Sequence, residues 1–171
     1  MSNIPFPNKK YKTIYADPPW LESGGGKIKR GADKHYSLMK TQDIKNLPVQ
    51  SIANENCWLF MWVTNNFLKD GLDILEHWGF RYITNIAWAK DRFGIGYYFR
   101  GQHELCLFGV KGKLKPKVRN ESTVVFAKRD KHSSKPKQMY SKIENVSHEP
   151  RIELFARQKV DGWDCWGNEV N

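Results

Sequence analysis

Asp17-Pro18-Pro19-Trp20 sets a carboxylate, two residues of fixed φ and a large aromatic in four consecutive positions. These types suit the activation of an exocyclic amino group on a nucleic-acid base. That nitrogen is a poor nucleophile, because its lone pair is delocalised into the ring. A carboxylate accepting one N–H, with a backbone carbonyl accepting the other, draws it toward the tetrahedral geometry that methyl transfer requires. Prolines help to present that carbonyl, because they hold φ and leave it without a competing local donor. The aromatic can stack on an extruded base. The same residues also read as a strand-ending turn, since Asp and Pro are turn formers. The tetrapeptide alone leaves both readings open, and its place after a strand-like run in a basic chain favours the first.

Other chemistry is sparse. Cys57, Cys106 and Cys165 are far apart, with no CxxC, so neither a zinc ribbon nor a disulfide framework is indicated. His103-x-x-Cys106 is the single close ligand pair and lacks a partner pair, so no metal is expected. The net charge of +10 favours a polyanionic partner, because each phosphate contact releases counterions. Between Lys111 and Lys137 ten basic residues face only Glu121 and Asp130, and a second basic stretch runs Lys27, Lys29, Arg30, Lys34. Solvated loops that aid solubility are the plainer reading of these runs. No apolar run reaches the roughly 18 residues of a membrane span, and the N-terminus lacks the apolar core of a signal peptide. These features predict one domain over residues 1–171, cytoplasmic.

The elements that must position Asp17 follow from apolar patterning. Tyr11–Ala16 is a short strand stopped by two prolines. Cys57–Val63 is a continuous apolar run, as in a strand buried on both faces. Asn65-Asn66 can cap a helix with apolar positions Phe67, Leu68, Leu72, Ile74, Leu75 and Trp78, closed by Gly79. Further strands are predicted at Tyr82–Trp88, Glu104–Val110, Thr123–Ala127 and Arg151–Phe155. Ser134 before Pro136 opens a helix bearing Met139, Tyr140, Ile143 and Val146. This alternation predicts an α/β domain with a largely parallel sheet, where ligands gather beyond the strands' carboxyl ends. Asp17–Trp20 and Ala156–Gln158 lie at such ends.

The ordered blocks YADPPW, HYSLM (Tyr36 among them), CWLFMWVTN, WGF, IAWAK, ELCLFGVKG, SSKP and ELFAR…GWDCWGNE closely resemble the MT-A70 family of adenine-N6 methyltransferases that use S-adenosylmethionine (AdoMet). The likeness runs from Tyr11 to Glu169. It implies a Rossmann-like AdoMet-dependent methyltransferase fold, mostly parallel with helices on both faces, in permuted order: catalytic motif first, cofactor motif last. Consistent with that order, the chain has no GxGxxG, and Gly24-Gly25-Gly26-Lys27 fits neither a dinucleotide loop nor a P-loop.

By the same resemblance, Asp17 and the Pro18 carbonyl orient the adenine amino group, Pro19 stiffens the turn, Trp20 lines the base pocket, and Asp17 also reaches the cofactor. Lys135 matches the SxKP lysine near cofactor and adenine. Arg157 contacts the ribose, with Gln158 as the second contact and Phe155 packed beneath. Asn168 and Glu169 match the segment at the amino-acid end of AdoMet. Trp163 and Trp166 are expected in the core. Tyr36, Lys27, Lys29 and Arg30 are expected to face substrate. The partner is nucleic acid, DNA favoured over RNA, with no membrane and with a homodimer open. RNA methylation and a catalytically silent nucleic-acid-binding scaffold are the alternatives.

Overall fold

The computed structural model describes residues 4–21, 38–130 and 134–170. Tyr36, Lys27, Lys29 and Arg30, expected to face substrate, lie outside the described residues. In chain order the elements are β1 (Tyr11–Ala16), α1 (Thr41–Lys45), α2 (Val49–Ile52), β2 (Ala53–Val63), α3 (Leu68–His77), β3 (Arg81–Lys90), β4 (His103–Lys111), β5 (Val124–Ala127), α4 (Gln138–Val146), β6 (Arg151–Leu154) and β7 (Asp164–Trp166).

The strands form one sheet in the order β5-β3-β4-β2-β1-β6-β7. β1 is parallel to β2 and β6, β6 to β7, and β3 to β5, whereas β4 is antiparallel to both its neighbours, β2 and β3. The sheet is therefore mixed and mostly parallel, with β4 alone reversed. One edge consequently gathers the carboxyl ends of six strands and the amino end of β4. There Ala16 pairs with Leu154 across β1 and β6, which brings the segments after both strands side by side.

β2 explains the two-faced core. Cys57, Leu59, Met61 and Val63 enter one cluster with Ile44, Val49, Ile52, Ile74 and Leu75 from α1–α3. Trp58, Phe60 and Trp62 point the other way, into a cluster with Met139 and Ile143 of α4. The period-2 alternation of a strand thus turns one unbroken apolar run into two cores. Each fully buried large apolar side chain contributes about 1.5–3 kcal/mol over its exposed state. α3 sits close on the sheet at Gly71, where an added Cβ would collide with Val63.

α3 ends as predicted. Gly79 takes φ +85°, its N–H bonds the Glu76 carbonyl at 2.9 Å, and the Phe80 N–H bonds the Leu75 carbonyl at 3.1 Å. That is a Schellman closure, which favours glycine. The predicted helix starts are corrected. A 3-10 turn, Asn65–Phe67, precedes α3, and neither Asn65 nor Asn66 caps the helix, whose N-cap is Phe67 with no side-chain bond. α4 starts at Gln138 with Lys137 as N-cap, so Ser134 lies upstream; instead the Pro136 carbonyl accepts the Met139 N–H at 3.0 Å. β1 keeps its predicted limits. β2, β3 and β4 run one to four residues past theirs, because ladder bonds extend beyond the apolar stretch that patterning detects, and β5 and β6 are each one residue shorter. Phe155, read as strand, leaves the sheet with φ +63°. Among the described residues no helix is long and apolar enough to cross a membrane.

Candidate active site

Asp17 is the first residue past β1, and its carboxylate is held between two cations. Lys135 Nζ stands 2.9 Å from Oδ1, and an Arg157 guanidinium nitrogen is 3.8 Å from Oδ2. Lys135 comes from the segment before α4 and Arg157 from the turn after β6. Lys135 also reaches Glu104 at 3.4 Å, and Glu104 in turn bonds Lys90 at the end of β3. Glu104 arrives because β4 runs backwards, so its second residue lies at the edge where the other strands end. Asp17, Lys135, Glu104 and Lys90 form a chain of alternating charge along that edge.

Burial opposes the charge on Lys135, but Asp17 and Glu104 outweigh it and raise its pKa above the ordinary lysine value. Burial likewise opposes the charge on Glu104, and Lys135 and Lys90 outweigh it, holding the carboxyl below its ordinary range. Both groups are therefore ionised at neutral pH. Beneath Lys135 lies the Trp62 ring, 5.5 Å away. The Trp62 indole N–H donates to the Tyr15 hydroxyl at 2.6 Å, fixing the floor of the site.

The turn itself is clamped. The Trp20 N–H bonds the Pro18 carbonyl at 3.0 Å, and the Met39 N–H bonds the Pro19 carbonyl at 2.8 Å. The expectation that Pro18 keeps a carbonyl free of local donors is thus corrected, because the turn folds back on itself within two residues. A carbonyl has two lone pairs, so one acceptor position on Pro18 remains. Trp20 is a core residue at 7% exposure. It stacks on Phe67 at 5.1 Å and donates its indole N–H to the Trp62 carbonyl at 3.2 Å. Its ring buttresses the turn and offers no open stacking face in this arrangement.

A cleft of about 710 Å³ opens beside Asp17, with Tyr15, Lys135, Glu153, Phe155, Arg157 and Gln158 among its walls. Glu153, on β6, is 8% exposed, and burial lifts its pKa to about 7 against the Tyr140 hydroxyl that donates to it at 2.8 Å. Phe155 packs edge-on against Trp166 at 5.7 Å. Its left-handed backbone turns the chain out of β6 and aims Arg157 back at Asp17; strain of this kind gathers at functional sites. Trp163 and Trp166 are buried core residues, as expected. Asn168 and Glu169 are exposed and do not line the cleft. They follow Gly167, where an added Cβ would collide with the Ala156 carbonyl oxygen.

The cleft's donor set suits a zwitterionic nucleoside cofactor. Lys135 and Arg157 can hold a carboxylate or hydroxyls, Asp17 and Glu153 can hold an ammonium or ribose, and Phe155 supplies apolar contact. Among the described residues no group of three His, Cys, Asp or Glu side chains is placed to hold a metal ion. A second cavity of about 530 Å³, lined by Trp58, Phe60, Ile86 and Phe108 among others, contains none of the predicted site residues. Sequence reasoning missed Glu104, Lys90, Tyr15 and Tyr140. The available signal was a hydroxyl or charge within or at the end of an apolar element: Tyr15 in β1, Lys90 closing β3, Glu104 near the start of β4 and Tyr140 on α4.

The MT-A70 family model matches residues 11–169. A type II methyltransferase, M.MunI, from Mycoplasma sp is 35% identical over 96% of the chain and 79% of its own length. An N(6)-adenosine-methyltransferase MT-A70-like protein of Arabidopsis thaliana is 30% identical over 94% of the chain and 24% of its own length. The human N(6)-adenosine-methyltransferase catalytic subunit METTL3 is 29% identical over 95% of the chain and 28% of its own length. The chain thus spans most of the first relative and about a quarter of the other two.

Proposed function

The chain belongs to the MT-A70 family, and from that premise we propose that it methylates the N6 amino group of adenine in DNA, with AdoMet as methyl donor. The observation that carries this reading is the Asp17-Pro18 turn at the carboxyl end of β1, its carboxylate paired with Lys135 and faced by Arg157. The proposal includes the permuted motif order, since Asp17 follows the first strand and Arg157 the sixth.

AdoMet, when bound, supplies an electrophilic methyl on a sulfonium. The chain's residues do the rest by placement. Asp17 accepts one hydrogen of the adenine amino group, and the remaining lone pair of the Pro18 carbonyl accepts the other. Lys135 holds Asp17 in place while offering a cation to the cofactor's carboxylate. Arg157 and Gln158 serve the ribose, with Phe155 below it; Asn168 and Glu169 serve the cofactor's amino-acid end after local rearrangement. Trp20 and Pro19 hold the turn rigid. Tyr36, Lys27, Lys29 and Arg30 contact the nucleic acid. Rate enhancement comes from positioning and from electrostatic acceptance that is already organised. A base in duplex must first leave the stack, at a cost of about a few kcal/mol.

DNA is favoured by the relative that carries the type II designation of DNA modification enzymes, which matches at higher identity and over more of its own length. The relatives named for adenosine support RNA as the second reading. The test is a mass-spectrometric count of N6-methyladenine in DNA and RNA from a methylation-deficient host expressing the chain, beside Asp17→Ala. Methyladenine in DNA that disappears with the variant is the expected result. A mark in RNA alone overturns the DNA assignment, and none in either polymer overturns the catalytic one.

A further inference from the structure

The loop joining β3 to β4 carries the most exposed aromatic surface among the described residues. Tyr97, Tyr98 and Phe99 are 95%, 88% and 91% exposed, and Ile95 and Phe93 stand out beside them. Water-facing apolar area on this scale marks a contact surface. The loop is nonetheless built. At its neck the Lys90 N–H bonds the Gln102 carbonyl at 2.9 Å and the Gly94 N–H bonds the Gly101 carbonyl at 2.7 Å. At its tip Gly96 lets the chain double back, since a Cβ there would collide with the Phe99 carbonyl. That turn holds three successive rings outward, Tyr97 edge-on to Tyr98 at 5.0 Å, while the Arg100 guanidinium lies 5.7 Å from the Phe93 ring centre.

We propose that residues 93–100 form a stacking platform for unpaired bases that flank the reacting adenine. This rests on the nucleic-acid reading given above. Two observations select the occupant. First, the loop stands on the site: its feet are Lys90 and His103, and Glu104, the next residue, pairs with the Lys135 that holds Asp17. A strand whose base enters the cleft therefore passes this loop. Second, the surrounding charge is positive. Arg92 and Arg100 flank the rings, and the Lys128-Arg129 segment is latched to the loop's root by the Arg129 N–H on Asp91 at 3.0 Å. Asp91, the loop's one acid, is engaged by that bond and by Arg92 at 3.5 Å. Rings interleaved with arginines suit a phosphate backbone whose bases stack in turn. A second copy of the chain, carrying the same cations, would be repelled at this edge.

The test compares the unmodified chain, the triple variant Tyr97→Ala/Tyr98→Ala/Phe99→Ala and the aromatic-retaining Tyr97→Phe/Tyr98→Phe/Phe99→Tyr. Each is titrated against a short single-stranded oligodeoxynucleotide with 2-aminopurine beside its adenine, and against the RNA of the same sequence. AdoMet binding is followed by calorimetry and mass by sedimentation. The expected result is a loss of about tenfold or more in single-strand affinity for the alanine variant, with its 2-aminopurine quenching gone. The aromatic variant keeps both, and AdoMet affinity and mass are unchanged in all three. Loss with the deoxy strand, the ribo strand or both supports the platform and identifies the polymer it serves. Unchanged affinity in the alanine variant overturns it. A drop in mass assigns the rings to contact between copies, and lost binding to phosphatidylglycerol vesicles at unchanged oligonucleotide affinity assigns them to a lipid surface; either overturns it. Failure of the unmodified chain to bind AdoMet or oligonucleotide instead overturns the function on which the platform rests.

Discussion

Lys135 Nζ meets Asp17 Oδ1 at 2.9 Å, and Arg157 covers the other carboxylate oxygen from 3.8 Å. One anion at the end of β1 therefore ties together the segment before α4 and the turn after β6. On the proposed function, the pairing fixes the direction in which Asp17 accepts a hydrogen from substrate. It also means that altering Asp17 disturbs two cations as well as one acceptor.

Asp17→Asn keeps the shape of the side chain but removes its charge and one acceptor position. Loss of a preorganised electrostatic contact to the reacting group should lower the rate of methyl transfer by about 100–1000-fold. Single-turnover transfer at saturating AdoMet reads this directly. A rate near that of the unaltered chain would show that Asp17 does not act on the amino group.

On the proposed function, Glu104 is a positioning residue that acts through Lys135, with which it pairs at 3.4 Å. Glu104→Gln leaves Lys90 and Lys135 facing a neutral amide, which should cost about 1–3 kcal/mol of stability in urea unfolding. It should also lower kcat/KM by letting Lys135 shift on Asp17. Adding Lys90→Met restores the charge count and should recover part of both losses, because contacting charges are not additive. A double variant no better than the single would detach Glu104 from this chain of charges.

Asp17 was legible from its own residues, an acid before two prolines, whereas Lys135 and Arg157 were singled out only through the family resemblance of the SSKP and ELFAR blocks. Their convergence was only partly legible. Parallel strands and their carboxyl ends could be inferred, but the adjacency of β1 and β6 is a matter of strand order, which patterning does not encode. Glu104 was hidden for a related reason, since its place at the site depends on β4 running backwards. α1, α2 and β7 are too short for periodicity to register. Tertiary contacts overrode the local signals at Trp20, where stacking on Phe67 draws a ring expected in the base pocket into the core.

Gly167 makes a prediction about the far side of the cleft. Its backbone lies against Ala156, whose N–H bonds the Trp166 carbonyl at 3.0 Å. Gly167→Ala must push β7 away from the turn that carries Phe155 and Arg157. Overpacking of this kind costs about 1–3 kcal/mol, so Tm should fall and AdoMet affinity should weaken with it. Gly101→Ala is the control, since nothing lies within 4 Å of the added Cβ. Equal behaviour of the two variants would count against the close approach.

Glu153 predicts how stability varies with pH. Burial lifts its pKa in the folded chain from 4.5 to about 7, the Tyr140 hydroxyl and Arg157 opposing and Asp17 adding. A raised carboxyl pKa means that the native state keeps its proton where the unfolded state has released it. Glu153's favourable contribution is therefore fully present below about pH 4.5 and is lost as pH rises toward 7. At 1.36 kcal/mol per unit the loss is on the order of 3 kcal/mol. Glu153→Gln keeps an acceptor for the Tyr140 hydroxyl, bonded at 2.8 Å in the native chain, and cannot titrate. The unfolding free energy of the cofactor-free variant should decline less between pH 4.5 and 7 than that of the unaltered chain, by about that amount. Parallel stability profiles for the two proteins would mean that Glu153 ionises in its ordinary range and that the wall of the cleft is wetter than its 8% exposure implies.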